Sequence, residues 1–125
     1  MDALSTSGFW DFLDQLVAAC PVRIDRPRNT PHPRYPAIVY PLDYGYLEGT
    51  TAADGGGMDV WLGVSGTHTI SAILVTVDML KRDSEIKILL GCTEEEIQAT
   101  LSFHNLGKYM RAVLVRRPII QGDII

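Results

Sequence analysis

Five prolines fall within residues 27–41, at Pro27, Pro31, Pro33, Pro36 and Pro41, and they divide the chain. Proline fixes φ and has no N–H to give, so this stretch enters neither a helix interior nor a central strand. It is too short and too mixed in composition for a disordered linker, and reads as an ordered loop crossing the surface. Regular structure must come from the chain on either side. Before the loop, Phe9, Phe12, Leu13, Leu16 and Val17 recur at helical spacing over residues 7–20. Asp11, Asp14 and Gln15 lie outside that stripe. Ser5, Thr6 or Ser7 can cap the helix and Pro21 ends it. Residues 22–26 read as a short strand, with Ile24 on one face and Arg23 and Asp25 on the other.

After the loop the pattern is one of short strands. Asp54-Gly-Gly-Gly at 54–57 is a tight turn in which positive φ is favoured. Residues 58–63 alternate, Met58, Val60 and Leu62 against Asp59 and Trp61. Gly66 turns the chain into residues 69–77, a β-branched apolar strand with Asp78 at its end. Residues 85–90 form another strand. Thr93, followed by Glu94, Glu95 and Glu96, is a helix start with a capping box and three acids at the positive end of the dipole. Ile97 and Leu101 supply its buried stripe, and Asn105 and Gly107 suit its end. Residues 110–115 read as the last strand and 118–125 as a loosely held tail. Short strands closed by turns, with a helix near each end, predict an α+β, mostly β architecture: a small antiparallel β-barrel flanked by helices. Helices do not alternate with strands, which argues against a parallel α/β sheet.

With 125 residues the chain is expected to be a single domain, 1–125. It is 46% hydrophobic and 21% charged, with a formal net charge of −4, which argues against a dedicated nucleic-acid binder. Cys20 and Cys92 have no metal-type spacing and read as reduced thiols. There is no signal-peptide pattern, and the run at 70–77 is too short to span a bilayer. The expectation is a cytoplasmic protein with no membrane partner.

Charge is unevenly spread. Arg23, Arg26, Arg28, His32 and Arg34 lie together against Asp25 alone. From Asp43 to Asp78 there are five acids (Asp43, Glu48, Asp54, Asp59 and Asp78) and no Lys or Arg. Asp83, Glu85 and Lys87 then alternate, so in an extended chain they share a face, either as a site or as an exposed salt-bridged strand. Carboxylates suit hard Mg²⁺ or Mn²⁺ and neighbouring Arg or Lys suits phosphate oxygens. A surface acid is usually only solvated, and Asp54 beside three glycines is also an ordinary turn residue. Asp59, inside an apolar strand, needs a partner. His32 between Pro31 and Pro33 reads as a surface residue. His68 and His104 have no zinc spacing.

The run Tyr40-Pro-Leu-Asp-Tyr-Gly-Tyr-Leu-Glu-Gly-Thr-Thr, followed by Asp54-Gly-Gly-Gly-Met-Asp59-Val, resembles the soluble family I inorganic pyrophosphatases. Ile24-Asp25-Arg26-Pro27, Arg34-Tyr35, Asp78 and 83–87 extend the resemblance over most of residues 22–90. It implies an OB-like barrel, oligomers of identical chains, and hydrolysis of diphosphate with Mg²⁺, Mn²⁺ or Co²⁺ as the metal. By position, Asp54, Asp59 and Asp78 would be metal ligands, joined by either Asp83 or Glu85. Lys87, Arg34 and Arg26 would bind phosphate, Tyr44 would line the site, and Asp25 would join them among the substrate-binding residues. Gly56 occupies the place of the aspartate that activates water in that family, and Gly57 replaces a proline. Asp43 stands where asparagine is usual and is a candidate to fill the gap, which makes Asp43, Asp54 and Asp59 the catalytic candidates. The hairpin between the Lys-Tyr and Tyr-Pro elements is missing, and Phe103-His104-Asn105 replaces Tyr-Lys. The expectation is a slower diphosphatase or one acting on a related phosphoanhydride. The competing reading is a module that binds a phosphorylated ligand or single-stranded nucleic acid through Tyr35, Tyr40, Tyr44 and Tyr46 beside the arginines.

Overall fold

The computed structural model describes residues 7–119. Its elements in chain order are α1 (Ser7–Ala19), β1 (Val22–Arg26), β2 (Asp43–Leu47), β3 (Met58–Leu62), β4 (Ile70–Asp78), β5 (Asp83–Leu90), α2 (Glu94–His104) and β6 (Met110–Arg116). The strands form one six-stranded sheet in the order β1-β2-β3-β5-β4-β6. All neighbours are antiparallel except β3 and β5, which run parallel. The protein is thus α+β and mostly β, as the sequence patterning predicts.

The sheet does not close into the expected barrel. After β3 the chain skips a position, lays down β4, and returns as β5 beside β3. β6 then pairs with the free side of β4, which leaves β1 and β6 at opposite edges. The tail expected at 118–125 falls largely outside the described residues.

Each face of the sheet carries one helix and one core. On one face, α1 buries Trp10, Leu13 and Val17 against Leu47, Val60, Ile70, Ile73, Ile88 and Leu90. The helical stripe is rotated from the expected one: Trp10 points inward, while Phe12 is 74% exposed and Phe9 half-exposed. A Trp with neighbours at i+3 and i+7 buries more apolar area on this face than the Phe pair would. On the other face, α2 covers Trp61, Ala72, Leu74 and Leu89, with Tyr40, Leu42 and Ile97 completing the cluster. Because both faces are covered, Ile88, Leu89 and Leu90 are all fully buried and the end of β5 loses its alternation. Cys20 packs on the α1 side and Cys92 on the α2 side, and both are free thiols.

Local chemistry fixes these elements. Thr93 Oγ1 accepts from the Glu96 N–H at 3.2 Å and Glu96 Oε1 accepts from the Thr93 N–H at 2.9 Å, so the capping box forms. Glu96 Oε2 also accepts from the Val64 N–H at 3.0 Å, which ties the start of α2 to the loop after β3. Asn105 closes α2 and bonds both backbone groups of Ala112 in β6. Arg117 grips Asp14 of α1 through two bonds of 2.8 and 2.7 Å.

The proline-rich segment is an ordered surface loop, as expected. It folds back on itself through Asn29 N–H to Tyr40 O (2.9 Å), Tyr40 N–H to Thr30 O (3.0 Å) and His32 N–H to Ile38 O (2.7 Å). Strand β2, which follows it, is not predicted by alternation. Its Tyr-Gly-Tyr run reads as a motif, and its glycine serves packing: a Cβ at Gly45 would sit 1.8 Å from the Arg23 carbonyl oxygen of β1.

Candidate functional site

The face of the sheet that α2 covers is apolar only in part. Register places Tyr44 opposite Trp61 and Tyr46 opposite Asp59. It places Lys87 beside Asp59 and Leu89 beside Trp61, Thr76 opposite Glu85 and Asp78 opposite Asp83. Cross-strand neighbours share a face. The same face therefore runs from Leu74, Leu89 and Trp61 under α2 to Asp59, Lys87, Glu85, Asp78 and Asp83 beyond it.

At the boundary lies a buried ion pair. Lys87 Nζ donates to Asp59 Oδ2 at 2.5 Å and to the Tyr44 hydroxyl at 3.1 Å. The Lys87 side chain is 5% exposed and that of Asp59 is 22% exposed, so the carboxylate is the outer member. Burial, followed by the Asp59 charge, pushes the Tyr44 hydroxyl well above its usual pKa, so it remains protonated. Glu85 is buried, and its Oε2 is without a hydrogen-bond partner among the described residues. Burial raises its pKa; Lys87 opposes this, while the charges of Asp59, Asp54 and Asp83 add to it. Those three acids are therefore near enough to act on Glu85.

Behind the pair sits a residue absent from the candidate set. His104, the last residue of α2, is buried, and its Nε2 accepts from the Trp61 indole N–H at 3.0 Å. Burial and the nearby Lys87 charge depress its pKa to about 3, which keeps the ring neutral. The signal for it was present: Ile97, Thr100 and His104 repeat at helical spacing, and all three are buried.

Other candidates hold the backbone. Asp54 Oδ1 accepts from the Gly56 N–H at 2.9 Å. Asp78 Oδ1 accepts from the Leu80 and Lys81 N–H groups at 2.9 and 3.0 Å, an Asx arrangement that shapes the β4–β5 turn. Asp43 accepts from the Arg28 N–H at 2.7 Å and anchors the proline-rich loop. Asp25, Arg26 and Arg34 are exposed. Burial raises the pKa of the Tyr40 hydroxyl and Arg26 opposes it; burial, then the Arg26 and Arg34 charges, lowers that of His32, which is half-buried. Gly57 has no room for a proline ring, since even a Cβ would lie 2.7 Å from the Tyr46 ring.

Among the described residues no three His, Cys, Asp or Glu side chains converge on a metal position. The donor chemistry still fits one kind of ion. Mg²⁺ is commonly held by one or two carboxylates together with substrate phosphates and waters. Asp59 and the orphaned oxygen of Glu85 provide two such carboxylates. No helix among the described residues is long and apolar enough to cross a membrane.

Fold and site define an α+β protein with an open, mostly antiparallel sheet, a helix on each face, and a carboxylate–lysine–tyrosine centre at the margin of one core. No protein-family model matches the chain and no curated protein matches it. Among solved structures it is similar to an inorganic pyrophosphatase from Coxiella burnetii, with a TM-score of 0.56 and 16% sequence identity, over 76% of this chain and 84% of that one. At that identity the likeness is one of fold.

Proposed function

We propose that the chain hydrolyses inorganic diphosphate or a related phosphoanhydride, in a reaction dependent on Mg²⁺ or a similar divalent ion. The observation that carries this reading is the convergence of Asp59, Lys87, Tyr44 and the unpartnered Glu85 carboxyl on one sheet face, on a fold similar to that of a pyrophosphatase. Asp59 and Glu85 would hold the ion, which would supply charge neutralisation for the diphosphate oxygens. Lys87 offers a fixed ammonium for developing negative charge, and its burial strengthens that effect. Tyr44 keeps its proton and can donate to a phosphate oxygen. Arg34 and Arg26 provide exposed guanidinium groups that can take phosphate oxygens. Gly56 supplies no carboxylate, so slow turnover is expected.

A second reading is favoured by one feature. Lys87 and Asp59 already neutralise each other, and Asp54 and Asp78 hold turns, which suits a module that binds a phosphorylated ligand without cleaving it. Phosphate release from pyrophosphate with Mg²⁺, Mn²⁺ or Co²⁺, compared with Asp59→Asn, separates the two. If wild type releases no more phosphate than the variant with every metal, hydrolysis is excluded. Binding of pyrophosphate without turnover would then favour the module.

A further inference from the structure

The proline-rich loop has an ordered aromatic and basic surface that the diphosphate reading leaves unused. His32 Nδ1 accepts from two backbone N–H groups, those of Arg34 at 3.0 Å and Tyr35 at 3.2 Å. This orients the imidazole and leaves its hydrogen on Nε2. Burial, with the charges of Arg26 and Arg34, lowers its pKa, so the ring is a neutral plate near cations. The imidazole lies parallel to Tyr40 within 1°, at 6.0 Å between centroids, and Tyr35 stands 5.3 Å from it. Tyr40 in turn lies 5.7 Å from Tyr44, whose hydroxyl accepts from Lys87. Rings thus step inward from Tyr35, 49% exposed, to the Asp59–Lys87 pair.

We propose that Tyr35 and His32 form a base-stacking subsite, and that the diphosphate taken at the Asp59–Lys87 centre is carried on a nucleoside. This inference rests on the phosphoanhydride reading above. A bare diphosphate has no π-face and gains nothing from an exposed tyrosine. A nucleobase stacks on aromatic side chains without a hydrogen-bond code. Arg26 and Arg34, whose charges act on the same imidazole, supply guanidinium groups of the kind that take phosphate oxygens beside the rings. The Nε2–H of His32 adds one donor for a base or sugar oxygen. A mononucleotide fits better than a polymer, because the chain carries a net charge of −4 and a polymer needs an extended basic track.

The test is calorimetric titration of the full chain, in Mg²⁺, with two ligands that resist hydrolysis: α,β-methylene-ADP and methylenediphosphonate. The nucleotide is expected to bind about tenfold more tightly, the scale of one base–aromatic stack. Tyr35→Ala should erase that ratio and Tyr35→Trp should keep it. Equal affinities in wild type overturn the subsite, as does equal loss of the ratio in both variants. A single-stranded oligonucleotide that outcompetes methylene-ADP also overturns it. Phosphate release measured in parallel keeps the two readings distinct. A Tyr35-dependent nucleotide preference without turnover retains the subsite and removes the hydrolase. Turnover of pyrophosphate without nucleotide preference does the reverse.

Discussion

Asp59→Ala should destabilise the fold far more than its exposure suggests. The lost carboxylate is itself 22% exposed, but the ammonium it leaves behind is only 5% exposed. Lys87 would then keep a single partner, the Tyr44 hydroxyl at 3.1 Å. Removing one member of a buried pair costs roughly 3–5 kcal/mol, mostly as the penalty of the stranded charge. Water reaches the Asp59 side, which places the expected loss near the lower end, about 3 kcal/mol. For a chain of this size that lowers Tm by about 10 °C. Lys87→Met strands the other partner, which water can solvate, and should cost less, about 1 kcal/mol. In the double variant Asp59→Ala, Lys87→Met the stranded ammonium is gone, and a coupling of about 2 kcal/mol should recover about half of the summed loss. Urea unfolding at pH 7 in EDTA measures all three. The reasoning is refuted if Lys87→Met costs as much as Asp59→Ala, because the cost would then not follow the burial of the stranded charge.

Three further outcomes follow from other parts of the molecule. Gly56→Asp should raise phosphate release from pyrophosphate at least about tenfold over wild type, as a positioned base does, while Gly56→Asn should not; a Cβ there meets only the Asp54 side chain, its Oδ1 at 3.3 Å, so that exposed carboxylate must shift slightly to admit it. His104, held near pKa 3 when folded against about 6.5 unfolded, contributes stability that is complete above pH 6.5 and is lost as pH falls toward 3; His104→Gln should flatten the decline in unfolding free energy between pH 6.5 and 4.5, up to about 1.4 kcal/mol per pH unit. Thr93→Ala, which removes the acceptor for the Glu96 N–H, should cost about 1 kcal/mol in chemical unfolding and leave the denaturant slope unchanged.

Much of the fold was legible because local rules act strongly in this chain. Pro21 and the Thr93–Glu96 box set helix limits to within a residue, the apolar alternation around Val60 marks β3, and the β-branched apolar run around Val75 marks β4. Closure was not legible. It depends on which edge β6 joins, a tertiary choice that leaves no periodicity behind. Strand β2 was hidden for a different reason. Tyr44-Gly45-Tyr46 alternates by size and not by polarity, and both of its faces are at least half-covered. The α1 stripe is not legible because Phe9, Trp10 and Phe12 are equally apolar, and only packing in the cluster with Ile73 and Ile88 selects the tryptophan.

The site was legible to the extent that strand alternation projects it. Asp59 is an acid in an apolar strand that needs a partner, and the Asp83-Glu85-Lys87 alternation puts that partner on one face. Parallel pairing of β3 with β5 then joined them, and no spacing rule foresees a contact between residues that far apart in sequence. Asp43, Asp54 and Asp78 show the converse. An acid beside glycines, or at a strand end, has two stable uses, and each of these three has an oxygen occupied by backbone N–H groups. What separates a chemical carboxylate from a turn carboxylate here is whether its lone pairs are already taken. By that criterion Glu85, buried with Oε2 unpartnered, has more coordinating capacity to spare than Asp54 or Asp78. The helix α2 sets the limit of that region: where its cover stops after Trp61 and Leu89, the same sheet face turns from aliphatic to charged, and the buried Lys87 sits on that line because its stem belongs to the core and its ammonium to the acids.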